Sequence, residues 1–552
     1  MQTDIHTYNK LQFYGLLSFA TVLILGTYLR YVYMLGAFMA EDEISYMSRV
    51  VEILGGNLDP STFGFADYRF LIYLPQSIIN YFIGFSPFSV VLWPFLASIM
   101  HIFVVYKIGV IVFDDVPSAV LAALFMAIAP LNVLEIRLLP DAIFSFFISL
   151  SIFFLLKSNL ALSTKATYYN LAYCSFFVVC SFLVRENAFL VFPFFAMFVS
   201  FHAKNRRAYI IFFSIFIIFI CILSVFLSMF PIVSPYDKVV KMWLLFHLPT
   251  VSKYLNHIKH FPYYNYLYHP ITIGYGMAII FFVGSIYLNH IKDKATNPIF
   301  LWFITVYIYF EFLSPLHGLR PAEGSFRYLT PFMAPMALLI GRFIKKMVFT
   351  LPLNRDVEVY NRLTVLTIFI SLILQQLYGN LSLLPIFLFF VFGKHSCGRI
   401  SMHLLGAPRY KSFNGQFNVM GFALISMTIA GTFFYMTTAS HAYKKVTLNN
   451  VIEEIYSDLA HQDAGIIASN DLIAERKLNL YRNGEIITRS MDNSKLYKYI
   501  VLINEKLLKL SYSKVSPNNG YNKDLYARID RGNYLKISNK MNYKIYKKNN
   551  TP

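Results

Sequence analysis

Charged residues are scarce in this sequence. Only 14% of its 552 residues are Asp, Glu, Lys or Arg, whereas a soluble globular domain carries about 25%. Hydrophobic residues make up 57% of the chain and aromatic residues 18%. Apolar runs of about 20 residues, each long enough to cross a bilayer, recur through most of the chain. The composition therefore excludes an ordinary soluble domain and predicts a polytopic α-helical membrane protein.

Cysteine is also rare. Three of the four cysteines, Cys174, Cys180 and Cys221, lie in apolar runs, and Cys397 lies between runs. This spacing excludes a disulfide framework and matches neither a zinc motif nor a redox motif. The N-terminal apolar run, 11–35, is longer than the hydrophobic region of a signal peptide, so we interpret it as an uncleaved anchor.

We predict about thirteen membrane spans, because so many apolar runs have the length that a bilayer requires. They lie at 11–35, 88–113, 117–134, 141–157, 168–184, 188–202, 209–230, 271–289, 298–315, 328–344, 363–379, 381–393 and 418–437. The short 381–393 run is also typical of a re-entrant segment.

The net charge of +19 has two interpretations, nucleic-acid binding or membrane topology. The basic residues stand mostly in short loops between alternate spans and in the tail, which is the positive-inside pattern rather than a nucleic-acid surface. With a cytoplasmic N-terminus, an odd number of spans places the tail outside. We therefore predict an integral protein of the plasma (inner) membrane, with no nucleic-acid partner.

The C-terminal segment, 441–552, differs from the rest. Ile452, Ile455 and Leu459 have helical spacing, and 465–469, 498–504, 526–529 and 534–538 have the composition of strands. These patterns predict a small external α/β domain after a transmembrane domain at 1–440. It contains no visible site motif, so a scaffold or substrate-contact role is favoured over catalysis.

Three adjacent acids, Glu41, Asp42 and Glu43, follow the first span and open an apolar helical stripe. The pattern predicts a surface helix at 42–55 that ends at the Gly55-Gly56 pair. Acids at a helix N-terminus have a plain explanation, because the helix dipole and the unpaired N–H groups favour them. Catalysis is the alternative, and both stay open at this point.

A second acidic position is Asp141, which follows Pro140 at the start of a predicted span, with Arg137 just before it. A charge at the end of a span is easily accommodated among lipid headgroups. However, Asp141 and Asp42 are both predicted on the external face. Two carboxylates near one membrane surface suit proton abstraction or the binding of a divalent cation such as Mg²⁺ or Mn²⁺.

Several arginines are also predicted on the external face. They are Arg69, Arg185, Arg320 and Arg327. The planar guanidinium suits phosphate, because it forms two parallel charge-assisted hydrogen bonds. Contact with lipid headgroups is the alternative for each of them.

Two ionisable residues lie inside predicted spans. Glu311 is near the outer end of its span and is a functional candidate by default, with His317 or Arg320 as its partner. His101 is in the middle of 88–113, where a hydrogen-bonded interior histidine is more frequent than a ligand.

The order of these features resembles that of the multi-span GT-C type glycosyltransferases, in particular the group of protein O-mannosyltransferases and lipid A aminoarabinose transferases. The features are a first span, an acidic pair that opens a surface helix, a basic loop, an acid that opens span four, an arginine that ends span five, and a late Arg-Tyr-x-x-Pro. In this chain the residues are Asp42, Glu43, Arg69, Asp141, Arg185 and Arg327.

The resemblance covers roughly residues 10–345. There are two departures from the family pattern. Arg69-Phe70-Leu71 stands where the family often has Lys-Pro-Pro, and Trp93 stands where it often has an arginine in span two.

The resemblance implies that the protein transfers a sugar from a polyprenyl-phosphate donor to a hydroxyl of a lipid, glycan or protein acceptor on the external face, with inversion. It implies a catalytic role for Asp42, Glu43 and Asp141, and binding of the donor phosphate by Arg69, Arg185, Arg320 and Arg327. Glu311 and Arg137 would support them. The alternatives are a transporter or flippase for a lipid-linked glycan, and a multi-span glycan polymerase or ligase. The oligomeric state is not indicated.

The basic loops make the predicted topology testable. Reporter fusions at positions 205, 293 and 355 should report a cytoplasmic location, and a fusion at position 460 should report an external one, because the basic loops stay inside. A cytoplasmic signal at position 460 would contradict this topology and the external placement of the acids.

Overall fold

The structure is a computed structural model. It describes residues 2–34, 41–59, 69–86, 88–134, 136–185, 188, 191–202, 209–210, 212, 214, 216, 218, 281, 284–285, 287–289, 291–308, 330–349, 448–459, 462, 467–469, 478–479, 499–503, 534–539 and 543–548.

The described residues are mostly helical. The helices are α1 (Gln2–Tyr33), α2 (Glu41–Leu54), α3 (Phe70–Ile83), α4 (Leu92–Phe113), α5 (Val116–Ile128), α6 (Pro130–Leu134), α7 (Pro140–Leu160), α8 (Thr164–Phe182), α9 (Val191–His202), α10 (Asn297–Ile308), α11 (Thr330–Phe349) and α12 (Leu448–Leu459). A 3₁₀ turn, Ser89–Val91, precedes α4, and another, Lys294–Thr296, precedes α10.

Three of the described helical stretches are long and apolar enough to cross a membrane. They are Phe13–Tyr33, Ser89–Phe113 and Pro140–Leu160. Each matches a predicted span. The predicted spans at 363–379, 381–393 and 418–437 lie outside the described residues, so the total of about thirteen stays a prediction.

The predicted span at 117–134 is not one continuous helix. It divides into α5 and α6 at Ala129. Pro130, the first residue of α6, has no backbone N–H to donate, and a proline ring inside a helix clashes with the preceding turn. The break leaves the last carbonyls of α5 without partners in their own helix.

The bundle is built around α4, α5 and α7. α7 packs against α8 and α4, α5 packs against α4 and α11, and α1 packs along α5. Gly341 lets α11 approach α5 closely, because a Cβ at this position would lie 2.7 Å from the Ser118 carbonyl oxygen and 2.9 Å from the Ala122 Cα. His101 is buried in this core and bonds to Ser149 across a 2.7 Å distance, which confirms the predicted interior histidine.

Charged side chains join the helices at the end of the bundle where α4 ends and α5 begins. Arg342 donates to Asp115 at 3.2 Å and to Asp293 at 2.8 Å, and Lys345 lies 3.6 Å from Asp115. These contacts tie the α4–α5 turn, the start of α10 and the middle of α11 together. Arg342 lies well inside α11, which continues to Phe349 and so extends beyond the predicted span at 328–344.

The predicted surface helix is present as α2. It ends at Leu54, and Gly55 and Gly56 follow it, with Gly56 at φ +68°. A positive φ is readily adopted only by glycine, which explains the stop. The helix begins at Glu41, one residue before the predicted start, so Asp42 lies in its first turn.

An unpredicted helix, α3, replaces what the sequence indicated as a loop into the second span. Its polar side chains Gln76 and Asn80 are buried against the start of α4, where the Gln76 amide donates to the Ser89 carbonyl oxygen at 2.6 Å. Tyr81 and Phe82, in contrast, are 73% and 78% exposed. The helix thus buries polar as well as apolar side chains and exposes several large apolar ones.

The C-terminal segment contains α12 and a four-stranded mixed sheet. Its strands are β1 (Ile467–Ser469), β2 (Tyr499–Ile503), β3 (Tyr534–Asn539) and β4 (Tyr543–Lys548), in the order β1-β2-β4-β3. β1 and β2 are parallel, and the other pairs are antiparallel. Three of these strands were predicted, β4 was not, and the predicted strand at 526–529 lies outside the described residues.

Candidate active site

Most of the predicted site residues that the structure describes meet at one end of the bundle. We call this the site end. It is where α1 and α8 end and where α4 and α7 begin. It lies opposite the Arg342 cluster, because α4, α5 and α7 each run from one end to the other.

A buried ion pair lies at the site end. Arg185, three residues after α8, donates to the Asp141 carboxylate at 2.5 Å, and their side chains are only 5% and 4% exposed. Asp141 lies in the first turn of α7, where the helix dipole favours a negative charge. Burying two charges is costly unless they are paired. The pair therefore fixes the start of α7 to the end of α8.

Arg69 connects the acidic helix to the start of α3. It is half-buried and donates to the hydroxyl of Tyr46, which projects from α2. Two residues later, the Leu71 N–H donates to the Leu183 carbonyl oxygen at 3.3 Å, close to Arg185 in the chain. Hydrogen bonds thus link α2 to α3 and α3 to the end of α8.

Trp93 completes this junction from α4. Its indole N–H donates to the Leu71 carbonyl oxygen at 2.8 Å, and its backbone N–H donates to Gln76 at 3.3 Å. The position where the resembled family often has an arginine therefore holds an aromatic side chain that positions α3 and leaves Arg69 at the edge of the junction.

Two neighbouring acids of α2, Asp42 and Glu43, point in different directions. The Asp42 side chain is exposed, whereas Glu43 is 0% exposed and shares the buried face of the helix with Met47 and Val50. Neighbouring residues in a helix differ by about 100° in direction. Asp42 is thus accessible from outside the bundle, while Glu43 faces the protein.

Of the other predicted site residues, the structure describes only Arg137. Arg137 is half-buried in the segment that leads into α7. Glu311, Arg320 and Arg327 lie outside the described residues, so their predicted roles stay predictions.

In the described part of the chain, no three His, Cys, Asp or Glu side chains come close enough to form a metal site. A divalent cation on Asp42 and Asp141 stays a prediction.

Sequence analysis missed several residues of the site end. Tyr46 and Trp93 were not assigned any role, and Arg30, which is buried in α1, was not considered. A single arginine near the end of an apolar run is typical of a headgroup anchor. The only signal was its position inside the first run.

The fold is similar to that of two solved structures of ArnT from Cupriavidus metallidurans. For the apo structure the TM-score is 0.53 at 12% identity, with 97% of this chain and 98% of that chain covered. For the structure bound to undecaprenyl phosphate the TM-score is 0.51 at 12% identity, with 97% of both chains covered. No family model matches this chain, and no curated protein matches its sequence.

This likeness extends over nearly the whole chain and shows a shared fold. The predicted resemblance to the GT-C type multi-span glycosyltransferases is confirmed at that level. At 12% identity the likeness by itself assigns no substrate and no residue role.

The buried ion pair predicts non-additive effects on stability. Asp141→Asn alone and Arg185→Gln alone should each destabilise the protein by roughly 3–5 kcal/mol, because each removes one member of a buried charge pair. The double variant should lose clearly less than the sum, as judged by apparent melting temperatures of the purified protein.

The Arg49–Glu52 pair on α2 is the matched control. It has the same 2.5 Å distance, but its side chains are 11% and 30% exposed. Its removal should cost no more than about 1 kcal/mol. Additive losses at Asp141 and Arg185 would contradict a coupled pair.

Proposed function

We propose that the protein is a glycosyltransferase that moves a sugar from a polyprenyl-phosphate donor to an acceptor hydroxyl on the external membrane face, with inversion. The observation that carries the proposal is the convergence at the site end. An exposed carboxylate, a buried carboxylate–arginine pair and a half-buried arginine lie at that end of a bundle that shares the fold of ArnT. One of the similar ArnT structures holds undecaprenyl phosphate.

The donor lipid explains why the site lies at the end of an apolar bundle. A polyprenyl chain stays in the bilayer while its phosphate and sugar reach the surface. α3 suits this arrangement, because large apolar side chains such as Tyr81 and Phe82 face outward while Gln76 and Asn80 are buried. A water-borne or membrane-bound acceptor meets the sugar at the same level.

We assign the proton transfer to Asp42. Its exposed carboxylate takes the proton of the acceptor hydroxyl as that oxygen forms a bond to the anomeric carbon. The bond from the anomeric carbon to the phosphate oxygen breaks in the same displacement. The polyprenyl phosphate leaves with the bonding electrons, and one displacement inverts the anomeric centre.

The arginines have separate roles in this proposal. Arg69 is half-buried at the edge of the junction and stabilises the charge that develops on the leaving phosphate. Arg185 is almost entirely buried and already pairs with Asp141. Arg185 therefore contributes to phosphate binding through its position and its electrostatic field. Arg327 and Arg320 stay candidates for direct contact with the phosphate.

The test of the function uses the purified protein and a panel of undecaprenyl phosphates that carry radiolabelled mannose, glucose or aminoarabinose. Transfer of the label to membrane lipids, glycans or proteins is measured, together with its release to water. Label transfer from at least one donor supports a transferase. Donor binding without transfer to any acceptor or to water would indicate a carrier and would overturn the proposal.

Asp42→Asn should slow the chemical step by roughly 10²–10⁴-fold, because it removes the base. Asp42 lies in the first turn of α2, so loss of its charge should cost only about 0.3–1 kcal/mol of interaction with the helix dipole, and α2 should stay intact. Glu52→Gln is the matched control, since it removes a carboxylate at the other end of the same helix. Near-normal turnover of Asp42→Asn, at wild-type melting temperature, would show that Asp42 only stabilises the helix.

Arg69→Ala should weaken donor binding by about 1.5–3 kcal/mol, the range for a hydrogen bond to a charged group. This corresponds to a donor KM about 10- to 150-fold higher. Tyr46→Phe is the control, because it removes the partner of Arg69 but keeps the guanidinium. If both variants raise KM equally, Arg69 acts through the fold and not on the phosphate.

A further inference from the structure

Arg30 is a buried cation that the proposed reaction does not use. It lies near the end of α1 and is 0% exposed. No carboxylate in the described part of the chain pairs with it. A charge in an apolar interior is costly unless it is well hydrogen-bonded, so its partners should reveal its role.

Those partners come from three helices. The Arg30 Nε donates to the Ser98 hydroxyl of α4 at 2.7 Å. Its Nη1 donates to the carbonyl oxygens of Ala127 at 2.9 Å and of Gly26 at 3.0 Å, and its Nη2 donates to that of Met126 at 3.3 Å. The guanidinium thus touches α1, α4 and α5 at once.

The carbonyls of Met126 and Ala127 belong to the last turn of α5. They have no partner within the helix, because α5 ends at Ile128 and Pro130 offers no N–H. Inside an apolar bundle, water cannot satisfy them. A cation here is also favoured by the negative end of the helix dipole. Arg30 therefore stabilises the break between α5 and α6.

The break is held from α4 as well. The Ser98 hydroxyl, which accepts from Arg30, donates to the Asn132 carbonyl oxygen of α6 at 3.2 Å. Gly26 brings α1 close enough for these contacts, because a Cβ there would lie 3.0 Å from the Ala127 Cβ and 2.7 Å from Ile102.

The break leads directly to the site end. Asp42 follows Arg30 by 12 residues, and Asp141 follows Asn132 by 9 residues. The segments that carry the two acids therefore both leave from the Arg30 contacts. A change at this point would move one acid relative to the other.

We propose that Arg30 is a positioning residue for the transfer reaction, which sets the placement of the α2 acids relative to Asp141 by tying α1 to the break between α5 and α6. This inference rests on the proposed function. The planar guanidinium is required, because its donors diverge toward three helices, whereas a lysine ammonium is a single point with three donors.

The test compares Arg30→Met, Arg30→Lys and the control Thr27→Val. Thr27 bonds only along its own helix, to the Leu23 carbonyl oxygen at 2.8 Å, so Thr27→Val removes a hydrogen bond from α1 without touching α5. The substrate is the radiolabelled undecaprenyl-phosphate sugar that the wild-type protein transfers. Both kcat and the donor KM are measured, together with hydrogen–deuterium exchange over 129–139.

Arg30→Met should lower kcat by about 10- to 100-fold, as expected for misplaced reacting groups, with the donor KM changed by less than about twofold. Exchange over 129–139 should rise. Arg30→Lys should recover part of both effects, and Thr27→Val should behave like wild type.

Wild-type kcat in Arg30→Met would overturn the proposal. A decrease in kcat accompanied by an equally large increase in KM, neither of which Arg30→Lys reduces, would also overturn it, because these effects would indicate general destabilisation. If the wild-type protein transfers no sugar from any donor, the proposed function fails, and the exchange measurement still decides on Arg30. Increased exchange confined to 129–139 in Arg30→Met would support the conclusion that Arg30 stabilises the break between α5 and α6. Unchanged exchange would overturn that conclusion.

Discussion

The buried contact between Asp141 and Arg185 is the interaction on which the site end depends. Two charges removed from water are tolerated only as a close pair, here with 2.5 Å between the Arg185 Nη1 and the Asp141 Oδ1. The start of α7 and the end of α8 must therefore stay together. α3 is bonded to the end of α8 through Leu71, and α2 is bonded to α3 through Arg69. The acidic helix is thus placed by a short chain of contacts that ends at this pair.

The same physical constraint operates at the opposite end of the bundle and within it. Arg342 is held by two carboxylates where α4 turns into α5. Arg30 is held by backbone carbonyls and a hydroxyl at the break between α5 and α6. In each place a cation satisfies groups that the apolar surroundings would leave unpaired. Polar contacts, not apolar packing alone, therefore decide where these helices start, stop and meet.

Sequence periodicity predicted the helices well and their interior polar contacts poorly. The acidic helix, its glycine stop and three of the candidate spans were visible, because apolar length and helix-ending residues are local signals. α3 was missed since its polar residues Gln76 and Asn80 face inward, whereas apolar residues such as Tyr81 and Phe82 face outward. A rule that places apolar residues inside misreads such a helix.

The sequence by itself determined the class of the protein, the resemblance of its ordered features to a fold, and a set of acids and arginines that are candidates for the site. The tertiary structure decided which of them meet. In it, Asp42 is exposed, Glu43 beside it is buried, and Arg185 forms an ion pair with Asp141. It also revealed Arg30, because a guanidinium that bonds to residues almost one hundred positions away has no local signature. Pairing across the bundle depends on distance in space, and one sequence records only distance along the chain.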